Sequence, residues 1–298
     1  MARTKSWPLA SLSALIVVLG VGLALLYRSD MASFAMSDSA AMHHFAGVAS
    51  EYKPRMVSVD VEPGLMHFAD LAVEDNEHTV VFIHGSPGSW TAFIEYFKNS
   101  ELLQKTRLIS VDRPGFGASD RGEVVVSLQE QARRIARALR SQNIRHGVVL
   151  VGHSLGGPVA LRLAADYPAL VSGVVLIAAA VAPAEERLRW YNRAASWWPV
   201  SALLPIDWRS SNREILPLKS ELIKLASLLD GIRAPTVVIQ GLNDELVSPA
   251  NADYLEQHLT GVTELHIQRI SGLNHFVPWT RPELVVDGIL EVLSANPR

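Results

Sequence analysis

A serine set between glycines is the residue of this sequence best placed to act as a nucleophile. Ser154 lies in the hexapeptide GHSLGG at positions 152–157, which follows the apolar run 146–151 and precedes a helical pattern. Glycine two positions before and two positions after the serine lets a strand and a helix approach closely in a tight turn. Such a turn exposes the hydroxyl above a sheet, at the positive N-terminus of the following helix. The setting therefore predicts a nucleophilic serine at position 154.

Two later loops supply the partners that a serine nucleophile needs. A serine hydroxyl requires a base, and the base requires an orienting acid. Asp244 follows the apolar run 236–240, and His275 follows the strand-like run 263–270. Loops at the carboxyl ends of parallel strands meet at one edge of a sheet, so we expect Asp244 and His275 to lie over Ser154. We predict that His275 is the general base and that Asp244 orients it.

A third loop could stabilise the charge that develops on a substrate carbonyl. It has the sequence HGSPGS at positions 84–89, directly after a buried strand-like run. We predict that the backbone N–H groups of Ser86 and Leu155 form the oxyanion hole, whereas Pro87 has no N–H to donate. For His84 we expect a structural role, because the base should follow both the serine and the acid along the chain.

Predicted strands and helices alternate along the chain and place these residues. Short apolar runs predict eight strands, at 56–61, 65–71, 79–83, 108–111, 147–151, 171–177, 236–239 and 263–270. Helical patterns fall between or after them, the clearest at 127–142, 154–167 and 283–293. This alternation predicts an α/β fold with a mostly parallel sheet and helices on both of its faces.

The interval 183–233 breaks the alternation because it contains no strand-like run. It holds four of the chain's seven tryptophans. Insertions of this kind in α/β proteins lie over the carboxyl edge of the sheet, where ligands bind. We therefore predict a helical lid over the site, and its aromatic content favours an apolar substrate.

The N-terminal region predicts membrane attachment. Residues 8–27 contain no charged side chain, and as a helix they would span about 30 Å, the thickness of a hydrocarbon core. We predict a cytoplasmic tip and transmembrane anchor over 1–28, a tether over 29–54, and a hydrolytic domain over 55–298. Basic residues before the apolar run place that domain on the non-cytoplasmic side, periplasmic or extracellular. The alternative is a cleaved signal peptide ending near 33–35, which would give a secreted protein.

Composition excludes several other classes of function. The 298-residue chain has a formal net charge of −3, and its 27 basic residues are scattered, which argues against nucleic acid as a partner. It has no cysteine, so disulfides, thiolate metal sites and a cysteine nucleophile are excluded. No nucleotide-binding glycine motif and no metal-ligand spacing is present. We expect neither a metal nor a cofactor.

These motifs together resemble those of the α/β-hydrolase family, over roughly residues 55–295. The likeness is carried by HGSPG at 84–88, DRPGFGAS at 112–119, the turn around Ser154, and the loops of Asp244 and His275, all in the family's order. It implies an eight-stranded sheet, a helical lid and a Ser-His-Asp triad. Aspartate in place of Ser154 would have indicated a dehalogenase or an epoxide hydrolase.

The expected reaction is acyl transfer to water. The substrate would be a small-molecule carboxylic ester with an apolar part, cleaved through an acyl-enzyme. The same triad also serves the hydrolysis of carbon–carbon bonds, lactones and small-peptide amides, and the sequence does not separate these. The other class left open is a ligand-binding protein without turnover, although such a protein has no need of all three triad roles.

Overall fold

The computed structural model describes residues 36–73 and 76–295. An eight-stranded sheet forms its centre, in the order β1-β2-β4-β3-β5-β6-β7-β8. The strands are β1 Arg55–Asp60, β2 Leu65–Leu71, β3 His78–Ile83, β4 Thr106–Val111, β5 Val148–His153, β6 Val171–Ile177, β7 Thr236–Gly241 and β8 Leu265–Ile270. β2 is antiparallel to β1 and β4, and the other neighbours are parallel. The mostly parallel eight-stranded sheet predicted from the sequence is confirmed.

Helices occupy the connections between the strands. In the described part of the chain they are α1 Asp38–Met42, α2 Ser100–Lys105, α3 Leu128–Ser141, α4 Gly156–Asp166, α5 Trp190–Ser196, α6 Trp198–Leu203, α7 Ile206–Ala226, α8 Ala250–His258, α9 Val277–Thr280 and α10 Pro282–Ser294. Shorter 3-10 segments lie at His43–Phe45, Ser50–Tyr52, Trp90–Lys98 and Leu229–Gly231. The start of α3 shows how local sequence sets these bounds, because the Ser127 hydroxyl accepts the Glu130 N–H at 3.3 Å as a helix cap.

The inner strands β3 to β7 are buried on both faces, which is why they are mostly apolar runs. In β3, Val81 and Ile83 pack into one core together with α3, α4 and α7. Val80 and Phe82 of the same strand point into a second core on the opposite face, which includes α10 and the 3-10 segment Trp90–Lys98. Alternate side chains of one strand thus enter different cores, as the two-residue period of a strand requires.

The interval between β6 and β7 contains helices in place of a strand. We refer to residues 183–233 as the cap; it consists of a loop, α5, α6, the long helix α7 and a short 3-10 segment. α7 packs against α4, the helix that follows the Ser154 turn. The cap is therefore attached to the body directly behind the candidate nucleophile.

The predicted N-terminal anchor and tether are described only in part. The predicted anchor at 1–28 lies outside the described residues, and within 36–73 and 76–295 no helix combines the length and apolarity needed to cross a bilayer. The described part of the predicted tether, residues 36–54, is folded onto the domain. Ala41 and Phe45 are fully buried in the second core, and Trp90 Nε1 donates to Asp38 Oδ1 at 3.0 Å. This segment shows no period in the sequence because its helical turns are too short to repeat an apolar pattern.

Candidate active site

Ser154 occupies a strained turn between β5 and α4. Its φ is +53°, in the left-handed region that residues with a Cβ seldom adopt. A Cβ at Gly152 would lie 2.6 Å from the Gly156 carbonyl oxygen, and a Cβ at Gly156 would overlap the carbonyl of Ile83. The flanking glycines are therefore required by close backbone approach. The turn leaves the Ser154 side chain half-buried and facing a large cavity.

Asp244 and His275 come together at the same edge of the sheet. His275 Nδ1 lies 2.8 Å from Asp244 Oδ2, and both side chains are buried. The other carboxylate oxygen, Oδ1, accepts the backbone N–H groups of Leu246 at 2.9 Å and Val247 at 2.8 Å. Burial raises the pKa of Asp244, but the hydrogen bonds and the His275 ring outweigh it, so the pKa lies below its usual value. An ionised Asp244 holds the proton on Nδ1 and leaves Nε2 as the acceptor.

Ser154, Asp244 and His275 all line one cavity. In the ranges that the structure describes, the Ser154 hydroxyl makes no hydrogen bond to His275. This bond would have to form before a proton could pass between them, and such bonds are often long in the absence of a ligand.

The backbone N–H groups of Ser86 and Leu155 border the same cavity. Neither group is bonded to an acceptor among the residues described. The Ser86 hydroxyl is used differently, donating to the Ser211 hydroxyl on α7 at 2.9 Å. Two unsatisfied N–H donors beside a serine are the arrangement that binds an oxyanion.

A buried arginine holds the loop that carries Ser86. Arg113 Nε donates to the His84 carbonyl and Nη2 to the Gly85 carbonyl, each at 2.8 Å. The same guanidinium makes a bidentate pair with Glu214 of α7, with both N···O distances 2.8 Å. Arg113 therefore joins the predicted oxyanion loop to the cap. No local sequence pattern links Arg113 to Glu214, which is 101 residues away, so this role of Arg113 was not predicted.

His84 is a structural residue of this loop. It is fully buried, and burial together with the Arg113 charge lowers its pKa well below the usual value. In the neutral ring, Nδ1–H donates to the Gly85 carbonyl at 2.7 Å and Nε2 accepts the Arg113 backbone N–H at 3.0 Å. Both nitrogens are occupied, which agrees with the expectation that His84 is not the base.

His153, beside the serine, contacts the loop of the candidate base. Its Nε2 donates to the backbone carbonyl of His275 at 3.1 Å. Its ring also meets the edge of Trp279, with centroids 5.2 Å apart. Burial is the largest cause that lowers the pKa of His153 to about 3, with the nearby His275 ring second. Sequence analysis missed this contact because the motif around Ser154 leaves position 153 unspecified.

The cavity has a volume of about 1430 Å³, lies between the sheet edge and the cap, and is open to solvent on one side. Its apolar and aromatic lining includes Tyr191, Leu204, Trp208, Leu218, Phe276 and Trp279. Such a cavity suits a small molecule with an apolar part. In the described ranges, no group of three or more His, Asp or Glu side chains is placed to hold a metal ion.

Comparison with known proteins places the chain in a family. The model of the Alpha/beta hydrolase family matches residues 80–288. The serine hydrolase BPHL of Mus musculus is 27% identical over 233 residues, covering 71% of this chain and 78% of the mouse protein.

Solved structures share the fold at low sequence identity. A protein of Acinetobacter baumannii, solved as a candidate lipase, is 18% identical with a TM-score of 0.67 over 87% of this chain and 97% of its own. A membrane phospholipase A, a bacterial virulence factor, is 19% identical with a TM-score of 0.63 over 96% of this chain and 98% of its own. With the family model matching more than half of its length, the protein is an enzyme that belongs to the alpha/beta hydrolase family.

Proposed function

We propose that the protein hydrolyses carboxylic esters with an apolar acyl or alcohol part, using Ser154, His275 and Asp244. One observation carries the proposal. The Asp244–His275 pair, 2.8 Å apart, lines the same cavity as a serine held on a strained turn. The three residues lie at one edge of the sheet, and this supports the roles of nucleophile, base and orienting acid that their chain order implies.

The reaction has two halves. Ser154 Oγ attacks the ester carbonyl carbon while His275 Nε2 takes the hydroxyl proton, and the oxyanion that forms is bound by the N–H groups of Ser86 and Leu155. His275 returns the proton to the leaving alcohol as the C–O bond breaks, which leaves an acyl-enzyme. Water then attacks the acyl carbon, His275 again accepts and returns a proton, and the acid is released. Asp244 stabilises the imidazolium in both halves.

The apolar preference rests on the lining of the cavity. Aromatic and aliphatic side chains from the cap and from the His275 loop surround the space above Ser154. An acyl chain placed there would be stabilised by about 0.8 kcal/mol of transfer free energy for each CH₂ group that it buries. Carbon–carbon, lactone and small-peptide amide substrates use the same triad and form the comparison set for a substrate panel.

We also propose that the N-terminal segment anchors the enzyme in a membrane. The uncharged run 8–27 and the basic residues before it support a single span, with the enzyme domain on the non-cytoplasmic side. Protease digestion of intact and permeabilised spheroplasts tests it. Digestion of the domain in intact spheroplasts is expected, and protection until permeabilisation would overturn the placement.

Ester series of increasing acyl length test the function. We expect kcat/KM of the full chain to rise from acetate towards medium-chain esters, and Ser154→Ala to lower it by at least about 10³-fold. Ser141→Ala, at the far end of α3, is the matched control and should leave the rate unchanged. No gain beyond acetate would contradict the apolar preference, and a full rate in Ser154→Ala would contradict the function itself.

A further inference from the structure

The outer surface of the cap carries large aromatic side chains that the protein leaves uncovered. Trp190, Trp197, Trp198 and Leu203 are 81%, 65%, 76% and 60% exposed. They lie on α5 and α6 and at the junction between these helices, which pack against each other. We refer to these four residues as the aromatic face. Scattered exposed apolar residues are ordinary, but four within fourteen positions form a concentrated patch.

The same segment is positively charged. From Arg187 to Ile206 the chain has three arginines and no acidic residue, whereas Glu185 and Glu186, directly before this stretch, line the cavity, and Asp207, directly after it, pairs with Arg121. Arg187, Arg189 and Arg193 are all exposed, and within the described ranges none of them pairs with a carboxylate. Arg189 donates instead to the backbone carbonyl of Glu245 at 3.1 Å. Arg187 and Arg189 also line the cavity, whereas Arg193 lies on α5 between Trp190 and Trp197 and gives the aromatic face a positive charge.

The aromatic face adjoins the cavity of the active site. Inward side chains of the same two helices, among them Tyr191, Ala195 and Val200, line that cavity, while the tryptophans point away from it. α5 is tied to α7 by Asn192, whose side-chain amide donates to Asn212 Oδ1 at 3.0 Å. A molecule that approaches across the aromatic face would thus reach the cap helices that roof the cavity.

We propose that the aromatic face is a docking surface for an anionic lipid bilayer. Tryptophan prefers the boundary between headgroups and acyl chains, because its ring is apolar and its N–H is polar. Arginines beside such an apolar surface bind anionic headgroups. The charge complementarity favours a bilayer over a second copy of this chain, since two copies would bring like-charged arginines together. Docking would present the cavity to esters held in the bilayer, and only this consequence rests on the proposed function.

A single label tests the docking directly, because the chain has no cysteine of its own. The full chain carrying Trp198→Cys with an NBD fluorophore is reconstituted into phosphatidylcholine–phosphatidylglycerol vesicles, with and without doxyl-labelled lipid. Arg145→Cys is the matched control, since it is exposed and precedes β5, at the sheet edge opposite the site. We expect doxyl lipid to quench the label at position 198 and not the label at 145. Equal fluorescence with and without doxyl lipid at position 198 would overturn the proposal. A blue shift of the label without quenching would mean that a second copy of the chain, and not lipid, covers the aromatic face.

Activity measurements separate docking from catalysis. Trp197 and Trp198 do not line the cavity, so Trp197→Ser/Trp198→Ser should leave turnover of a soluble short-chain ester within about twofold of the wild type. Turnover of an ester presented in anionic vesicles should fall about tenfold. Arg193→Gln should reduce the preference for anionic over neutral vesicles. Equal loss on both substrates would contradict a docking role, whereas a wild type inactive on every ester would contradict the proposed function and leave the quenching result to stand.

Discussion

At the scale of single residues, the site depends on how each ionisable group is held in one protonation state. Two hydrogen bonds to Oδ1 and one to Oδ2 keep Asp244 ionised within a buried setting. Burial keeps His153 and His84 neutral. Three buried groups close to Ser154 thereby have fixed charges, and His275 is left as the residue proposed to exchange a proton with the serine.

Replacing Asp244 by asparagine tests whether the carboxylate sets the position of the His275 ring proton, because the side chain keeps its size. The amide keeps an oxygen for the Leu246 and Val247 N–H groups, but its NH₂ would face His275 Nδ1 and move the ring proton to Nε2. Nε2 could then no longer accept the Ser154 proton, and kcat for ester hydrolysis should fall by about 10⁴-fold. The melting temperature should change little, and Asp230→Asn, at an exposed position, is the control. Full activity in Asp244→Asn would exclude the assigned role.

His153 should make the stability of the protein depend on pH. Its pKa is about 3 in the folded state and about 6.5 in the unfolded chain. Between these values the unfolded state binds more protons, so the stability contributed by neutral His153 is present above about pH 6.5 and is lost as the pH falls towards 3.

His153→Phe tests this dependence, since it keeps a ring against Trp279 and does not titrate. The free energy of unfolding of the wild type, measured by urea denaturation, should decrease relative to the variant as the pH is lowered from 7 to 4. A difference between the two proteins that is constant over this range would mean that His153 does not carry the effect.

At the scale of elements, the cap and the oxyanion loop are joined by charge. Arg113 holds the carbonyls of His84 and Gly85 and pairs with Glu214 of α7. A second bidentate pair joins Arg121 to Asp207 near the start of the same helix. α7 is thus fixed to the body, which leaves α5 and α6 as the outer part of the cap.

Loss of the buried Arg113–Glu214 pair should lower the free energy of unfolding more than loss of an exposed ion pair. Glu214→Gln leaves the buried Arg113 charge without its counter-ion, and we expect a loss of about 3 kcal/mol in the free energy of unfolding. Ester hydrolysis should fall as well, since the loop of Ser86 loses its support. Glu101→Gln removes an exposed pair with Lys105 and should change stability by less than about 0.5 kcal/mol. Equal changes in the free energy of unfolding for the two substitutions, measured by chemical denaturation, would contradict a stabilising role for the Arg113–Glu214 pair.

The elements themselves were predictable to different degrees. All eight strands were expected within about two residues of their bounds; β4 and β7 are two residues longer than expected and β8 is two residues shorter. The inner strands were recognisable because a strand buried on both faces is an apolar run. The 3-10 segment Trp90–Lys98 and helix α8 were not predicted, although Trp90, Phe93, Ile94 and Phe97 recur at helical spacing. Each element is only nine residues long, so its pattern covers little more than two turns. The Arg113–Glu214 pair lies between distant parts of the chain, where local patterns carry no information.

At the scale of the whole molecule, the parallel sheet explains why the site could be inferred before the fold was seen. Parallel strands bring the loops after β3, β5, β7 and β8 to one edge, and these loops carry Ser86, Ser154, Asp244 and His275. Chain order and loop position were therefore enough to propose which residues meet. The N-terminal segment was harder to predict, since a polar residue, Asp38, and a buried ring, Phe45, attach it to the body without a repeated apolar pattern.

The central claim is that Ser154 is an activated nucleophile, and a fluorophosphonate probe tests it most directly because no substrate has to be chosen. The full chain and Ser154→Ala are treated side by side, and intact masses are measured. We expect one phosphonyl adduct on the wild type and none on the variant. A folded wild-type protein that gains no adduct, or a variant that gains the same adduct, would contradict it.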